Sequence, residues 1–101
     1  MKIVFQHAKY FRGEQELRAG LYLIPPRNVC LWADEGKLTV NVAGQALASD
    51  EVAIKTWSEN EGVEKDLLLA GVIEGPVLRR IPSGFVEIPI YKRGKNFPQV
   101  E

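Results

Sequence analysis

Val86-Glu87-Ile88-Pro89-Ile90-Tyr91 is the stretch that decides the class of fold. Val86, Ile88 and Ile90 recur at every second position, the period of a strand with one buried face. Pro89 brings no N–H to a ladder, so this strand is expected at a sheet edge or at a bulge. The same alternation recurs upstream. Leu38, Val40 and Val42 alternate with Lys37, Thr39 and Asn41, and Leu17, Ala19, Leu21 and Leu23 with Glu16, Arg18, Gly20 and Tyr22. Ile3 and Phe5, Val29 and Leu31, and Val52 and Ile54 begin shorter runs. The expected core is Ile3, Phe5, Leu21, Leu23, Val29, Leu31, Leu38, Val40, Val42, Val52, Ile54, Val86, Ile88 and Ile90, joined by Val63 and Leu67 from the segment described next.

The punctuation between these runs is that of short loops, which join antiparallel neighbours. Arg12-Gly13-Glu14 closes a first hairpin, Pro25-Pro26-Arg27-Asn28 separates two strands, and Asp34-Glu35-Gly36 offers a glycine for a tight hairpin turn. Ile81-Pro82-Ser83-Gly84 has the proline and glycine placement of a type I turn.

One segment breaks the period-two rhythm. Ser58-Glu59-Asn60-Glu61 has the S-x-x-E form of a capping box, and Val63, Leu67 and Ala70 then follow at helical spacing. Glu61 and Lys65 make an i,i+4 pair, and Gly71 stands where a helix-ending glycine belongs. Gly62 opposes the helix by about 1 kcal/mol. Leu67, Leu68 and Leu69 cannot share one face, so the helix is covered on two sides or exposes Leu69 at a contact. The expected fold is α+β: a mainly antiparallel β-sheet, curled into a small barrel or sandwich, with one short α-helix near residues 59–70. Residues 1–101 form a single domain, with 92–101 as a frayed tail.

Composition narrows the function. The 101 residues carry 13 Lys+Arg and 13 Asp+Glu, with 46% hydrophobic and 26% charged residues, a globular balance. No apolar run approaches the ~20 residues of a membrane span, and the N-terminus lacks a signal-peptide pattern. A cytoplasmic protein with no membrane partner is the expectation. The zero net charge is unevenly spread. Residues 1–33 hold five basic and two acidic side chains, residues 34–66 three and eight, and residues 67–101 five and three. Whether these blocks form separate faces or interleave depends on strand pairing.

Cys30 and His7 are each single, which argues against a disulfide or an ordinary zinc site, so no metal is expected. As a nucleophile and base they lack an orienting partner, and Cys30 sits in an apolar run. Glu59, Glu61 and Asp50-Glu51 are the carboxylates from which a small carboxylate-dependent enzyme would be built, but none has a metal-ligand spacing. No glycine-rich phosphate loop is present, and no cofactor is expected. Tyr10, Phe11, Tyr22, Trp32 and Trp57, with Arg79-Arg80 and Lys92-Arg93-Lys95, would suit single-stranded nucleic acid on an OB-like or SH3-like module. The neutral charge balance argues against that partner. The junction Lys55-Thr56-Trp57-Ser58-Glu59-Asn60-Glu61-Gly62, where a strand ends in tryptophan and meets an acidic helix start, is the most distinctive feature. Trp57, Glu59, Asn60 and Glu61, with Arg79 and Arg80, are the candidate partner-binding residues.

The run Ile54-Lys55-Thr56-Trp57-Ser58-Glu59-Asn60-Glu61-Gly62, with Leu69-Ala70-Gly71-Val72-Ile73 and Arg80-Ile81-Pro82-Ser83-Gly84-Phe85-Val86, resembles small uncharacterised bacterial proteins of phages, plasmids and other mobile DNA. The resemblance covers the second half of the chain. It implies a setting among accessory genes, and no catalytic residue or cofactor. The expected function is a non-enzymatic binding protein that contacts another protein, a homodimer being the second form of such contact. Single-stranded nucleic-acid binding and carboxylate catalysis are the alternatives.

Overall fold

A computed structural model describes all 101 residues. Eight strands and one α-helix follow in the order β1 (Lys2–Phe5), β2 (Gly13–Glu16), β3 (Arg18–Leu21), β4 (Val29–Ala33), β5 (Gly36–Lys37), β6 (Glu51–Ala53), α1 (Val63–Leu69), β7 (Ile73–Ser83) and β8 (Val86–Arg93). Every strand pairing in the three small sheets, β1-β2, β3-β4-β5 and β6-β8-β7, is antiparallel. The α+β class expected from the alternation therefore holds. A closed barrel does not form.

The sheets follow one another through single links. β2 runs into β3 by way of Leu17, whose N–H donates to the Met1 carbonyl at 2.7 Å. Beyond β5 the chain pairs with β4 on one side and with the β6 segment on the other. Leu38 N–H donates to Leu31 (2.8 Å), Val40 N–H to Ala53 (3.1 Å), and Lys55 N–H to Leu38 (2.9 Å). β1 and β7, the outer strands of the first and last sheets, each pair on one side only. α1 packs against both of them and so links the first sheet to the last.

The strand of the opening motif is not at an edge. β8 lies between β6 and β7, with Pro89 buried. The pairing of β6 with β8 explains how proline is tolerated there. Ile54 N–H donates to the Pro89 carbonyl at 3.1 Å, and the return bond that Pro89 cannot make falls just where β6 ends. One ladder bond is lost, and the other side of the strand is unaffected. The true outer strand is β7. Its register against β8 shifts between Glu74 and Arg79, so that Gly75, Pro76, Val77 and Leu78 together stand opposite Tyr91. The β7–β8 turn falls at Gly84-Phe85, later than the Pro82-Ser83 position expected, and leaves Phe85 fully exposed at the tip.

The helix is shorter than expected and starts differently. Ser58–Asn60 form a separate 3₁₀ turn, and α1 runs over Val63–Leu69. No capping box forms, because Ser58 itself lies at φ 57° and Gly62, at φ 88°, is the residue that precedes the helix. The glycine that weakens a continuous helix is what allows the chain to turn from one helical segment into the next. Leu67 is buried while Leu68 and Leu69 are exposed.

The main core joins Ile3, Phe5, Leu17, Leu31, Leu38, Val52, Ile54, Val63 and Leu67 with their neighbours. A smaller cluster holds Val42, Ala53, Ile81, Ile88 and Ile90. Two expected core residues are outside: Leu21 is exposed and Leu23 is 90% exposed, while Val40 and Val86 are only half-buried. β3 stops at Leu21, and the bonds Tyr22 N–H to Asn28 and Arg27 N–H to Ile24 tighten residues 22–28 into a loop that carries Leu23 outward. The last residues, read from the sequence as a frayed tail, lie against the rest of the fold. Phe97 and Val100 pack on the main core, Val100 bridges Ala19, and Glu101 N–H donates to the Ala19 carbonyl at 3.0 Å.

The charge blocks interleave. Glu51 of the acidic middle pairs with Arg79 of the last third, and Glu61 with Lys9 of the first third. No helix is long and apolar enough to cross a membrane.

Candidate functional site

The Trp57 junction is built by tethers from both sides. Trp57 leaves the sheet in an extended conformation and packs, half-buried, on the smaller cluster. The 3₁₀ turn after it is closed by Asn60 N–H to Trp57 (3.0 Å) and Glu61 N–H to Ser58 (3.2 Å). Asn60 is 1% exposed, and its Nδ2 donates to the Lys37 carbonyl at 2.8 Å, which pins the turn to β5.

The facing wall is the loop between β1 and β2. Asp66, on the buried side of α1, accepts from the backbone N–H groups of Gln6 (3.0 Å), His7 (3.0 and 3.1 Å) and Ala8 (2.8 Å). Lys9 N–H then donates to the Glu61 carbonyl at 2.7 Å, and the Arg12 guanidinium caps the Ala8 carbonyl. Lys9 and Tyr10 are thereby fixed beside Glu61 by backbone bonds rather than by their own side chains.

Between the walls lies an open depression of about 590 Å³, lined by Lys9, Tyr10, Thr56, Trp57, Ser58, Glu59 and Glu61. Tyr10 is 56% exposed. Each carboxylate has a lysine: Lys9 Nζ lies 3.5 Å from Glu61 Oε2, and Lys55 pairs with Glu59. Hydrogen bonding to Lys55, assisted by a backbone N–H, holds the Glu59 carboxyl down to about 2. Tyr10, and after it Glu61, push the Lys9 ammonium above its ordinary value. Lys9 Nζ also lies 5.5 Å from the centre of the Tyr10 ring, within cation–π range. A second recess, sharing Tyr10 and Glu59, continues to Phe11, Glu35, Gly36 and Asn60.

Of the six candidate residues, the structure brings Trp57, Glu59 and Glu61 together around the depression. Asn60 sits beneath them as a tether. Arg79 and Arg80 lie on β7 and do not line the depression. Arg79 grips Glu51 with two bonds, Nη1 to Oε2 at 2.8 Å and Nη2 to Oε1 at 3.0 Å, which with the Ala48 N–H holds the Glu51 carboxyl down to about 2. Arg80 lies near Tyr91, whose hydroxyl donates to Glu64; burial first, and then Glu64, raise the Tyr91 phenol well above its ordinary value.

The aromatic residues do not form one stacking surface. Phe11 is buried against Phe5, with ring centres 5.4 Å apart. Tyr22 donates to the Thr39 carbonyl at 3.1 Å, and burial raises its phenol to about 12. Among the basic residues proposed for phosphate contact, Arg93 lies over Phe97. Cys30 is buried in β4, and the backbone of His7 is held by Asp66.

Sequence reading missed Lys9 as a member of the site and weighed Tyr10 only as a stacking platform. Their place follows from Asp66, a single acidic residue on an apolar helix face, which ties a loop some 60 residues away in the chain.

Fold and site together describe a small α+β protein that presents an open, preformed aromatic and charged depression. Compared with protein-family models, curated proteins and solved structures, the chain matches none.

Proposed function

We propose that this protein is a non-enzymatic binding module that acts by contacting another protein through the Tyr10–Trp57 depression. The observation that carries the reading is the way the depression is held. Tyr10, Trp57, Glu59 and Glu61 are presented on backbone fixed by the Asp66, Glu61 and Asn60 tethers, so little ordering is needed on contact. An exposed tyrosine and a half-buried tryptophan within a polar rim are of the residue types that concentrate binding energy at protein interfaces. The shallow opening suits a protruding side chain or loop better than an enclosed small substrate. The resemblance of the second half of the chain to proteins of mobile DNA favours a bacterial host protein as the partner.

Affinity capture from bacterial extract, with purified partner then titrated by calorimetry, tests this. Tyr10→Ala and Glu61→Lys are expected to abolish a complex that Phe85→Ala leaves intact. Equal binding by all three variants overturns the assignment of the site. Salt-dependent binding of labelled single-stranded oligonucleotides, with no captured protein, would replace the reading by the nucleic-acid alternative. Light scattering that shows a dimer lost in Tyr10→Ala would make the partner a second copy.

A further inference from the structure

One end of the molecule is nearly free of charge. Residues 19–33 and 38–49 hold a single charged side chain, Arg27, in a chain that is 26% charged. Leu21, Leu23 and Ile24 are each more than half exposed there, and Ala43, Gly44, Ala46 and Ala48 are exposed on the neighbouring loop. A polar network binds the two loops into one surface. Asn28, itself buried, donates from Nδ2 to the Gln45 carbonyl at 2.9 Å and accepts from the Leu47 N–H at 2.8 Å. Asn41 donates from Nδ2 to the Ile24 carbonyl at 3.1 Å, and its Oδ1 accepts from the Asn28 N–H at 3.3 Å. The fold thus holds bulky aliphatic side chains out in water by fixed backbone. Of residues 21–27 and 40–49 all but Val42 are exposed or half-buried, sixteen in all, and none of them lines the Tyr10–Trp57 depression.

We infer that this end is the contact between two copies of the chain, related by a two-fold axis, with Leu23 and Ile24 of each copy covering Ala43–Ala48 of the other. Charge selects the occupant first. A charge buried without a partner is costly, so whatever covers this end must itself be nearly uncharged where it touches. An ordinary protein surface, with about a quarter of its residues charged, meets that condition poorly. The same end of a second copy meets it, and the long side chain of Arg27 lets its guanidinium stay in water. Shape agrees with charge. A two-fold contact needs one patch that carries both halves of the fit, and here the protruding Leu23 and Ile24 and the low alanine and glycine loop are tied together by Asn28 and Asn41. Sixteen residues also approach the roughly 20 a side of a standard interface. A bilayer is disfavoured, because one cation is far from the cluster of about 4–8 that anionic lipid attracts.

Sedimentation equilibrium of the full chain, followed across a concentration series, tests this. The mass should rise from 11.3 kDa toward twice that value, with a dissociation constant on the order of 10 µM for a contact at the small end of the standard range. Leu23→Glu should weaken the dimer by about tenfold or more, and Ala46→Lys should weaken it as well. Both positions are exposed, so circular dichroism should show both variants folded. An equimolar mixture of the two should dimerise again, because the new glutamate of one copy then meets the new lysine of the other. Tyr10→Ala should leave the dimer unchanged, which separates this contact from the depression. A chain that stays monomeric at about 1 mM overturns the inference, as does a dimer that survives Leu23→Glu or is lost in Tyr10→Ala. A mixture of the two variants that remains monomeric overturns the two-fold arrangement. Leu23-dependent binding of a monomeric chain to vesicles of phosphatidylcholine and phosphatidylglycerol, or to a different protein, overturns the second copy as the occupant.

Discussion

Asp66 and His7 are joined by a forked hydrogen bond: the single backbone nitrogen of His7 lies 3.1 Å from Oδ1 and 3.0 Å from Oδ2 of the Asp66 carboxylate. The N–H groups of Gln6 and Ala8 flank it, one on each oxygen, so three successive residues of the loop converge on one buried side chain. The carboxylate is 3% exposed and does for this loop what a strand partner does elsewhere. Asp66→Asn replaces one accepting oxygen by a donor facing N–H groups, and should cost about 2–3 kcal/mol. Urea unfolding measures the loss, and the Lys9 and Tyr10 signals should broaden or move in the folded variant.

Gly62 supports the same contact from the other side. At φ 88° it lies so close to the loop that a Cβ would stand 2.2 Å from the His7 carbonyl oxygen. Gly62→Ala should therefore cost about 2 kcal/mol or more, from left-handed strain and displacement of backbone. Gly84, at φ 62° in the β7–β8 turn, has nothing within 4 Å of the same position. Its alanine variant should cost only about 1 kcal/mol. Equal losses in the two variants would show that the approach to His7 does not matter.

Glu51 and Arg79 make stability depend on acid. The Glu51 carboxyl falls from 4.5 to about 2 on folding, chiefly through Arg79. The folded form thus binds fewer protons than the unfolded form between those values. The stabilisation is complete above about pH 4.5 and is lost as pH falls toward 2. Because Arg79 is substantially exposed, the pair is worth about 1 kcal/mol or less. Glu51→Gln should flatten the acid limb of a plot of unfolding free energy against pH.

Tyr22 and Tyr91 act at the alkaline end. Burial raises both phenols, Tyr22 to about 12 and Tyr91 further. The folded form therefore keeps protons that the unfolded form releases near pH 10, and stability declines as pH rises above that value. Absorbance at 295 nm should show these two tyrosines still protonated at pH 11 while the fold persists. Tyr91→Phe, which removes the bond to Glu64, should remove its share of that decline.

Deleting residues 97–101 should destabilise the fold by about 2 kcal/mol. It uncovers apolar surface under Phe97 and Val100 and leaves the Ala19 carbonyl without its donor. A loss near zero, by thermal or urea unfolding, would show the tail to be dispensable.

The sequence made legible what depends on neighbours two or four positions away. Ile3 and Phe5, Val52 and Ile54, and Ile88 and Ile90 alternate and are all buried, and Asp34-Glu35 does turn β4 into β5. Features set by distant contacts were not legible. Pro89 reads as an edge residue because local rules cannot show that β6 ends opposite it. Ser58 reads as a cap because Gly62 is judged as a helix residue, whereas its closeness to His7 makes it the turning point. Leu23 looks inward by periodicity until the Tyr22–Asn28 bond takes it out of the strand. At the site, Trp57, Glu59 and Glu61 announced themselves by their junction. Lys9 and Tyr10 did not, since only the Asp66 tether brings them there.

The separation of the apolar interior into two clusters also sets a sequence of events in time. Ile81, Ile88 and Ile90 share a cluster with Val42 and Ala53, apart from the one that holds Leu31 and Leu67. The outer part of the β7–β8 ribbon can therefore come loose while the larger cluster stays closed, a partial opening that costs less than global unfolding. In deuterated solvent, amide protons from Arg79 to Ile90 should exchange ahead of those in β4 and α1. Trp57 leans on the faster unit, while Lys9 and Tyr10 are tied to the slower one through α1. The bond from the Lys9 N–H to the Glu61 carbonyl ties the two walls to each other, so the depression should keep its shape while the smaller cluster opens.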